Sequence, residues 1–470
     1  MNNPVHNDRA FKPRTKNSAY DAEYLSCMQK TDASGDGRRR AWEYMLDSTA
    51  VFAGKPVYSS YIPRLFDSAT YDRFKYIAET TYSALTKIME EFIANPAYRE
   101  CFTLDERLVD LILLPRDYEG LLPCARIDLF FDDDTLDATF CEFNADGSSG
   151  MNEDREVAAS IAESAPFREF CKHHSVRTCT ESLFEGWVDE FLSIYETYAF
   201  KVENPRIAIV DFLENSVTEE FKVYAELFRK RGYRFSVYDV RQLEFDGEKL
   251  IGRKAFIGED DAPIDCIWRR CVTRDVIDHW DESQNLIAAV KARKVALIGS
   301  FAGHIAHDKQ LFSILKMPET KALLSDEENE LMESMIPYTA FLDADHIDLD
   351  DVKSKREEWI IKPTDAYGSR NVFAGRDFSD DEWSRIIDEH ANGASGCPFL
   401  VQKFCIPHKT PAVPFYDREE DYSAAPKMYY NLSGLYLYNG HFAGVFSRLG
   451  PGSIILGRNG GVTAASLWVD

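Results

Sequence analysis

The stretch CARIDLFFDDDTLDATFCEFNADGSSG, residues 124–150, decides how this chain is read. Two runs of alternating apolar and polar residues flank an acidic, turn-prone segment, Asp133 to Asp137, which is the pattern of a β-hairpin. Folding the chain back about Thr135 sets Asp128 opposite Glu142 and Arg126 opposite Asn144. Because side chains alternate along a strand, these four share one face, with opposed Cβ atoms roughly 5 Å apart. The other face collects Ala125, Ile127, Leu129, Cys141, Phe143 and Ala145, which suits a core. A one-residue slip would mix the two faces, so the apolar pattern itself selects the register.

A strand face bearing Asp, Glu, Asn and Arg has two explanations. It is a solvated surface with a salt bridge, or it is a site for a hard cation. Three oxygen donors without His or Cys match Mg²⁺, which takes one or two carboxylates and leaves its other positions to water and phosphate. An arginine beside them suits a phosphate or a developing negative charge, through its rigid fork of donors.

The 470 residues, 45% hydrophobic and 28% charged, have the profile of a soluble protein of two or three domains. The formal net charge of −25 opposes binding to nucleic acid or to an anionic membrane. It would also repel ATP unless basic residues concentrate locally, which makes the position of each Lys and Arg informative. No segment reads as a signal peptide or a membrane span. The ten cysteines are scattered without a CxxC pair, as in a cytoplasmic protein whose thiols are reduced and mostly buried. Residues 1–20 are polar and are expected to lack fixed structure.

Along the chain, Tyr71 to Tyr98 has apolar residues at helical spacing and ends near Pro96. After the hairpin, GSSGMNEDREVAASIAE enters a helix, and helical pattern continues to about Ala199. RIAIVDF, VTEEFKVYAELFRKRGY and YRFSVYDV then form a β-α-β unit, followed by strands in IDCIWRRCV (Ile264 to Val272) and VALIGS. The unit is Rossmann-like but lacks GxGxxG, which argues against a dinucleotide. The last third is rich in strands: WIIKP, PFLVQKFCIP, and a hairpin turned by Asn439-Gly440. Three segments follow: 1–200, helical with the acidic hairpin; 201–300, Rossmann-like; and 301–470.

Neither GxxxxGK[ST] nor HExxH occurs. His304 and His307 have the spacing of two ligands on a helix, but no third is evident. Cys266 and Cys271 are read as core residues. Lys362 ends a strand and precedes the loop TDAYGSRNV, where an ammonium and the backbone N–H groups near Gly368 and Ser369 can surround phosphates; a lysine that merely ends a strand is the plain alternative. Lys309 falls at an expected helix start near Asp308, where the macrodipole disfavours a cation and a bound anion would explain it. Gln402 is polar within an apolar strand. Arg448 closes the last hairpin strand.

As an ordered set, RID at 126–128, EFN at 142–144, DK at 308–309, IIKP at 360–363, VQKF at 401–404 and SR at 447–448 resemble the glutathionylspermidine synthase family. The resemblance runs from about Tyr71 to the C-terminal residue. It implies an α/β (α+β) ATP-grasp fold with the metal hairpin ahead of the lysines, a Rossmann-like pre-ATP-grasp domain and an N-terminal helical segment. By the same resemblance, Asp128, Glu142 and Asn144 would hold Mg²⁺ against ATP, and Arg126 would stabilise the transferring phosphoryl group. Lys309 and Lys362, with Gly368 and Ser369 of the loop, would contact the phosphates. Gln402 and Lys403 would lie towards the nucleotide, and Arg448 would reach phosphate or the substrate carboxylate. The implied activity is ATP-dependent joining of a carboxylate to an amine; the alternative is a catalytically silent protein that keeps the fold. Where the family has a glycine-rich lid segment, this loop has one glycine, and LGRNGGVTAAS also departs from the family pattern. Both substrates stay open.

Overall fold

The computed structural model describes residues 14–52, 54–366, 368, 370–415, 425–452, 454–455 and 459–470. Two helices come first, α1 (Asn17–Thr31) and α2 (Asp36–Asp47). Order therefore begins within the segment expected to lack it. Asn17 is buried and ties α1 to the third helix: its side-chain amide nitrogen donates to Thr70 Oγ1 at 2.8 Å and its side-chain carbonyl oxygen accepts from Asp67 N at 3.0 Å. That helix, α3 (Ser68–Ala94), is capped by Asp67, whose side chain accepts from Thr70 N, and ends at Asn95-Pro96.

Strands β1 (Cys124–Phe131) and β2 (Ala138–Asn144) form the acidic hairpin. At the site the register is as the alternation requires, with Arg126 opposite Asn144 and Asp128 opposite Glu142. Nearer the turn a bulge shifts it, so Leu129 pairs with Phe140. Phe140, not Cys141, therefore packs in the core, and Cys141 is only half-buried. The bulge lets a large apolar ring take the inward place without turning Glu142 away from its face.

Helices α4 (Met151–Ala162) and α5 (Thr180–Glu196) follow. The Rossmann-like unit comprises β3 (Arg206–Asp211), α6 (Thr218–Lys230), β4 (Arg234–Asp239), β5 (Cys266–Arg269) and β6 (Ala296–Ile298). Its parallel strands run in the order β4-β3-β5-β6, with Ala255–Ile257 antiparallel on the β4 edge. The strand read over Ile264 to Val272 is shorter than expected: Ile264 ends a separate strand, Ala262–Ile264, in a small sheet. Cys266 and Cys271 are buried in the core.

A third sheet contains β7 (Thr339–Phe341), β8 (Trp359–Pro363) and β9 (Phe399–Lys403), ordered β7-β9-β8 with Phe373–Ala374 at the edge. The last long strands, β10 (Lys427–Tyr438) and β11 (His441–Gly450), form the expected hairpin, with Asn439 and Gly440 both at positive φ. β10 pairs antiparallel with β1, so residues near 130 and near 435 share one eight-stranded sheet. The segments 1–200 and 301–470 are thus built into each other across this sheet.

Candidate active site

The site grows from the hairpin face. Arg126 donates through Nε to Asp128 Oδ1 at 2.6 Å and through Nη2 to Oδ2 at 3.0 Å, a bidentate pair within one strand. Arg448, from β11, donates to Asp128 Oδ2 at 3.0 Å. Asp128 is fully buried between two guanidinium groups. The pair fits because Gly434 of β10 lies opposite Asp128: a Cβ there would stand 2.7 Å from Arg126 Cδ and 2.8 Å from Asp128 Oδ1. The Arg126 guanidinium also lies 5.8 Å from the Tyr436 ring and 5.5 Å from the Phe446 ring. Its Nη1 donates to the Ser149 carbonyl, which also accepts from Tyr436 Oη at 2.6 Å.

Glu142 sits across from Asp128. Burial alone would raise its pKa, but Lys309, Arg448, Lys362 and Arg126 together hold it well below the usual carboxylate range. Four cations from four parts of the chain thus stabilise the charge of one carboxylate, within a protein whose net charge is −25. Asn144 donates to Glu142 Oε1 at 3.4 Å.

The lysines arrive from the third sheet and the segment before it. Lys362, at the end of β8, donates to Gln402 Oε1 at 2.9 Å and to the Cys141 carbonyl at 3.4 Å. Gln402 of β9 is oriented by its own donation to Thr339 Oγ1 at 2.9 Å. Lys309 does not start a helix as expected. It lies between two short helices, Gly303–His307 and Leu311–Ile314, because Asp308 is extended. Its backbone N–H donates to Thr364 O at 2.9 Å and its ammonium to Ala366 O at 2.5 Å, so the loop after β8 clasps it. Gly368 is exposed at positive φ; Ser369 lies outside the described residues, as do Leu456, Gly457 and Arg458 of LGRNGGVTAAS.

Lys403 stands apart from this convergence. It follows Gln402 on β9 and points to the other face, paired with Glu358 and 3.9 Å above the Trp359 ring. Strand alternation accounts for the separation. Arg126, Asp128, Glu142, Asn144, Lys309, Lys362, Gln402 and Arg448 are the expected residues that come together. Gly434 was not among them, although an isolated glycine inside an apolar strand signals close approach of another chain segment. Glu153, in the first turn of α4, is buried.

For His304 and His307 the structure offers no third ligand either: among the described residues, no group of three or more His, Cys, Asp or Glu is arranged to hold a metal ion. His304 is instead fully buried among carboxylates, 3.9 Å from Asp146, 3.8 Å from Asp308 and 3.9 Å from Asp365. Asp146 anchors the exit of the hairpin to the Rossmann-like unit. It pairs with Arg269 at the end of β5 and accepts from Thr273 N at 2.6 Å. At the other end, Asp133 in the hairpin turn takes both terminal nitrogens of buried Arg64, at 2.6 and 2.8 Å. All ten cysteines are free, and six of them are only half-buried rather than core. No described helix is long and apolar enough to cross a membrane.

No family model matches the sequence, and no curated protein matches it. Among solved structures, the chain is similar to a glutathione synthetase-like effector from Globodera pallida in its apo form, with a TM-score of 0.59 at 12% identity. The match covers 92% of this chain and 96% of that one. A putative γ-glutamylcysteine synthetase from Methylobacillus flagellatus (TM-score 0.36, 9% identity, 80% and 83% covered) and the D-cycloserine synthetase DcsG (0.30, 13%, 55% and 71%) also match. The near full-length likeness to the effector is one of fold: a mixed α/β architecture with several sheets, which in this chain includes the Rossmann-like unit and the N-terminal helices.

Proposed function

We propose that this protein is an ATP-dependent carboxylate–amine ligase that forms an amide through an acyl phosphate. The observation that carries the reading is the gathering of cations at the hairpin face, with Arg126 and Arg448 on Asp128 and Lys362 on the Cys141 carbonyl beside Glu142. Such a cluster is costly to bury without polyanionic ligands, and it opposes the charge of the rest of the molecule. The names of the structural neighbours, all synthetases or synthetase-like, support the same class. The resemblance to glutathionylspermidine synthases is the finer form of the reading; the carboxylate is a small molecule or peptide.

In this reading the lysines exchange their present carbonyl and amide partners for phosphate oxygens. Freed from Lys362, Gln402 can turn its carbonyl to the adenine amino group. The γ-phosphoryl group passes to the substrate carboxylate, with ADP leaving, while Arg126 and Arg448 face the charge that develops. The hairpin donors fit Mg²⁺: Glu142 is held ionised, Asp128 is oriented by both arginines, and Asn144 adds a neutral oxygen. Bound there, the ion would offset phosphate charge. The amine then displaces phosphate.

Carboxylate oxygen labelled with ¹⁸O is expected in inorganic phosphate, with ADP as the nucleotide product. Stoichiometric AMP and pyrophosphate would refute the mechanism. Activity undiminished in excess chelator would remove the metal.

A further inference from the structure

A carboxylate outside the hairpin face reaches the site through the backbone. Glu220 of α6 is fully buried. Its Oε2 accepts from the N–H groups of Gly150, Met151 and Asn152 at 3.3, 3.0 and 3.2 Å, at the start of α4. Its Oε1 accepts from Arg270 Nη1 at 3.0 Å, just beyond β5. The Arg270 guanidinium is itself held, 5.1 Å from the Trp268 ring and 5.3 Å from the Phe221 ring. Both oxygens of Glu220 are therefore committed, one to the start of α4 and one to the Rossmann-like unit.

The first of those N–H groups belongs to the peptide that joins Ser149 to Gly150. The carbonyl of the same peptide accepts from Arg126 Nη1 and, at 2.6 Å, from Tyr436 Oη. In a planar trans peptide the C=O and the N–H point in opposite directions. The Ser149 carbonyl can face Arg126 only while the Gly150 N–H faces inward, and an N–H buried there needs an acceptor. Glu220 supplies it. Gly150 itself imposes little on the peptide, because a glycine at φ +114° has the most permissive backbone of any residue. The position demands that residue, since a Cβ would stand 3.0 Å from the Phe446 ring.

We propose, resting on the ligase reading above, that Glu220 is a positioning residue: it holds the Ser149–Gly150 peptide in the orientation that fixes the Arg126 guanidinium against Asp128 for phosphoryl transfer. With the peptide so held, Arg126 has Nε and Nη2 on Asp128 and Nη1 on the Ser149 carbonyl. Once the carbonyl turns away, Nη1 loses its acceptor and the guanidinium is free to tilt off Asp128.

Wild type, Glu220→Gln and Glu220→Ala are assayed for ADP release with Mg²⁺-ATP, a panel of amino acids and small peptides as carboxylates, and a panel of amines that includes ammonium. ATP binding is read separately by calorimetry and folding by circular dichroism. Gln keeps one oxygen where two are engaged and should lower kcat about tenfold; Ala keeps none and should lower it about 100-fold or more. The Kd for ATP should stay within about twofold in both, because Lys309 and Lys362 are held by other elements. Sodium formate should fill the emptied seat and restore kcat saturably in Glu220→Ala, and sodium chloride at the same ionic strength should not. A crystal structure of that variant without formate should show the Ser149 carbonyl off Arg126. Where Glu220→Ala does not fold, Glu220→Gln decides by the same split of kcat from Kd. An unchanged kcat, or a kcat that falls together with ATP affinity and melting temperature and does not respond to formate, overturns the assignment and leaves the ligase reading. Wild type that releases no ADP with any pair removes the ligase reading, and the assignment with it.

Discussion

At Gly434 a hydrogen occupies the space where every other residue would place a carbon within 2.9 Å of Arg126 and Asp128. The contacts threatened are the ones that orient the site, not distant packing. Gly434→Ala should therefore shift the Arg126–Asp128 pair and lower ADP release on the order of 100-fold, with a melting temperature close to wild type. Kinetics beside a circular dichroism melt check this; full activity would mean the pair is not used as placed. The lysines make a different prediction. Lys309→Ala or Lys362→Ala removes a cation from a cluster that excludes much water, so each should raise the Kd for ATP by roughly tenfold or more, read by calorimetry. Lys403→Ala, whose charge meets Glu358 on the other face, should leave that Kd unchanged.

At the scale of the element, the hairpin is held at both ends by buried ion pairs, Arg64–Asp133 at its turn and Arg269–Asp146 at its exit. Removing one partner strands the other charge. Asp133→Ala should cost about 3–5 kcal/mol in urea unfolding, and replacing both Arg64 and Asp133 by apolar residues should recover much of it. The strands themselves were legible in the sequence because a half-buried hairpin writes its faces as alternation, and only one register keeps Ile127, Leu129 and Phe143 inside. The bulge at Cys141 was not legible. Alternation counts residues, and a bulge breaks the count at a place chosen by how Phe140 fits the core. Nor could the chain order reveal that Arg448 reaches Asp128 or that the lysine segment is clasped by Thr364 and Ala366. Those contacts depend on how sheets are laid together, and an arginine at a strand end looks the same whether solvated or buried.

In the molecule as a whole, His304 is where three separated segments meet: the hairpin exit through Asp146, the segment before Lys309 through Asp308, and the loop after Lys362 through Asp365. Burial would lower its pKa, but Asp146 and Asp308, with Asp365, outweigh burial and raise it to about 10. A raised pKa favours the folded state where the ring is charged. This contribution is fully present below the ordinary histidine value of about 6.5 and is lost as pH climbs towards about 10. The melting temperature should therefore fall between pH 7 and 10, and His304→Gln should start lower and fall less steeply. A parallel decline in both proteins would assign the loss to other groups.

The pairing of β1 with β10 has a consequence in time. Asp128 emerges from the ribosome some 300 residues before Gly434 and Arg448, the residues that make room for it and neutralise it. Until then a buried acidic strand lacks its neighbour, and its unpaired edge is open to other chains. Closing so long a loop is slow more than it is unfavourable, since the entropy grows only with the logarithm of length. The Rossmann-like unit, whose strands lie within about 90 residues of one another, can settle first and hold Asp146 in place. The candidate site would then mature late, completed by a strand delivered some 300 residues after the hairpin.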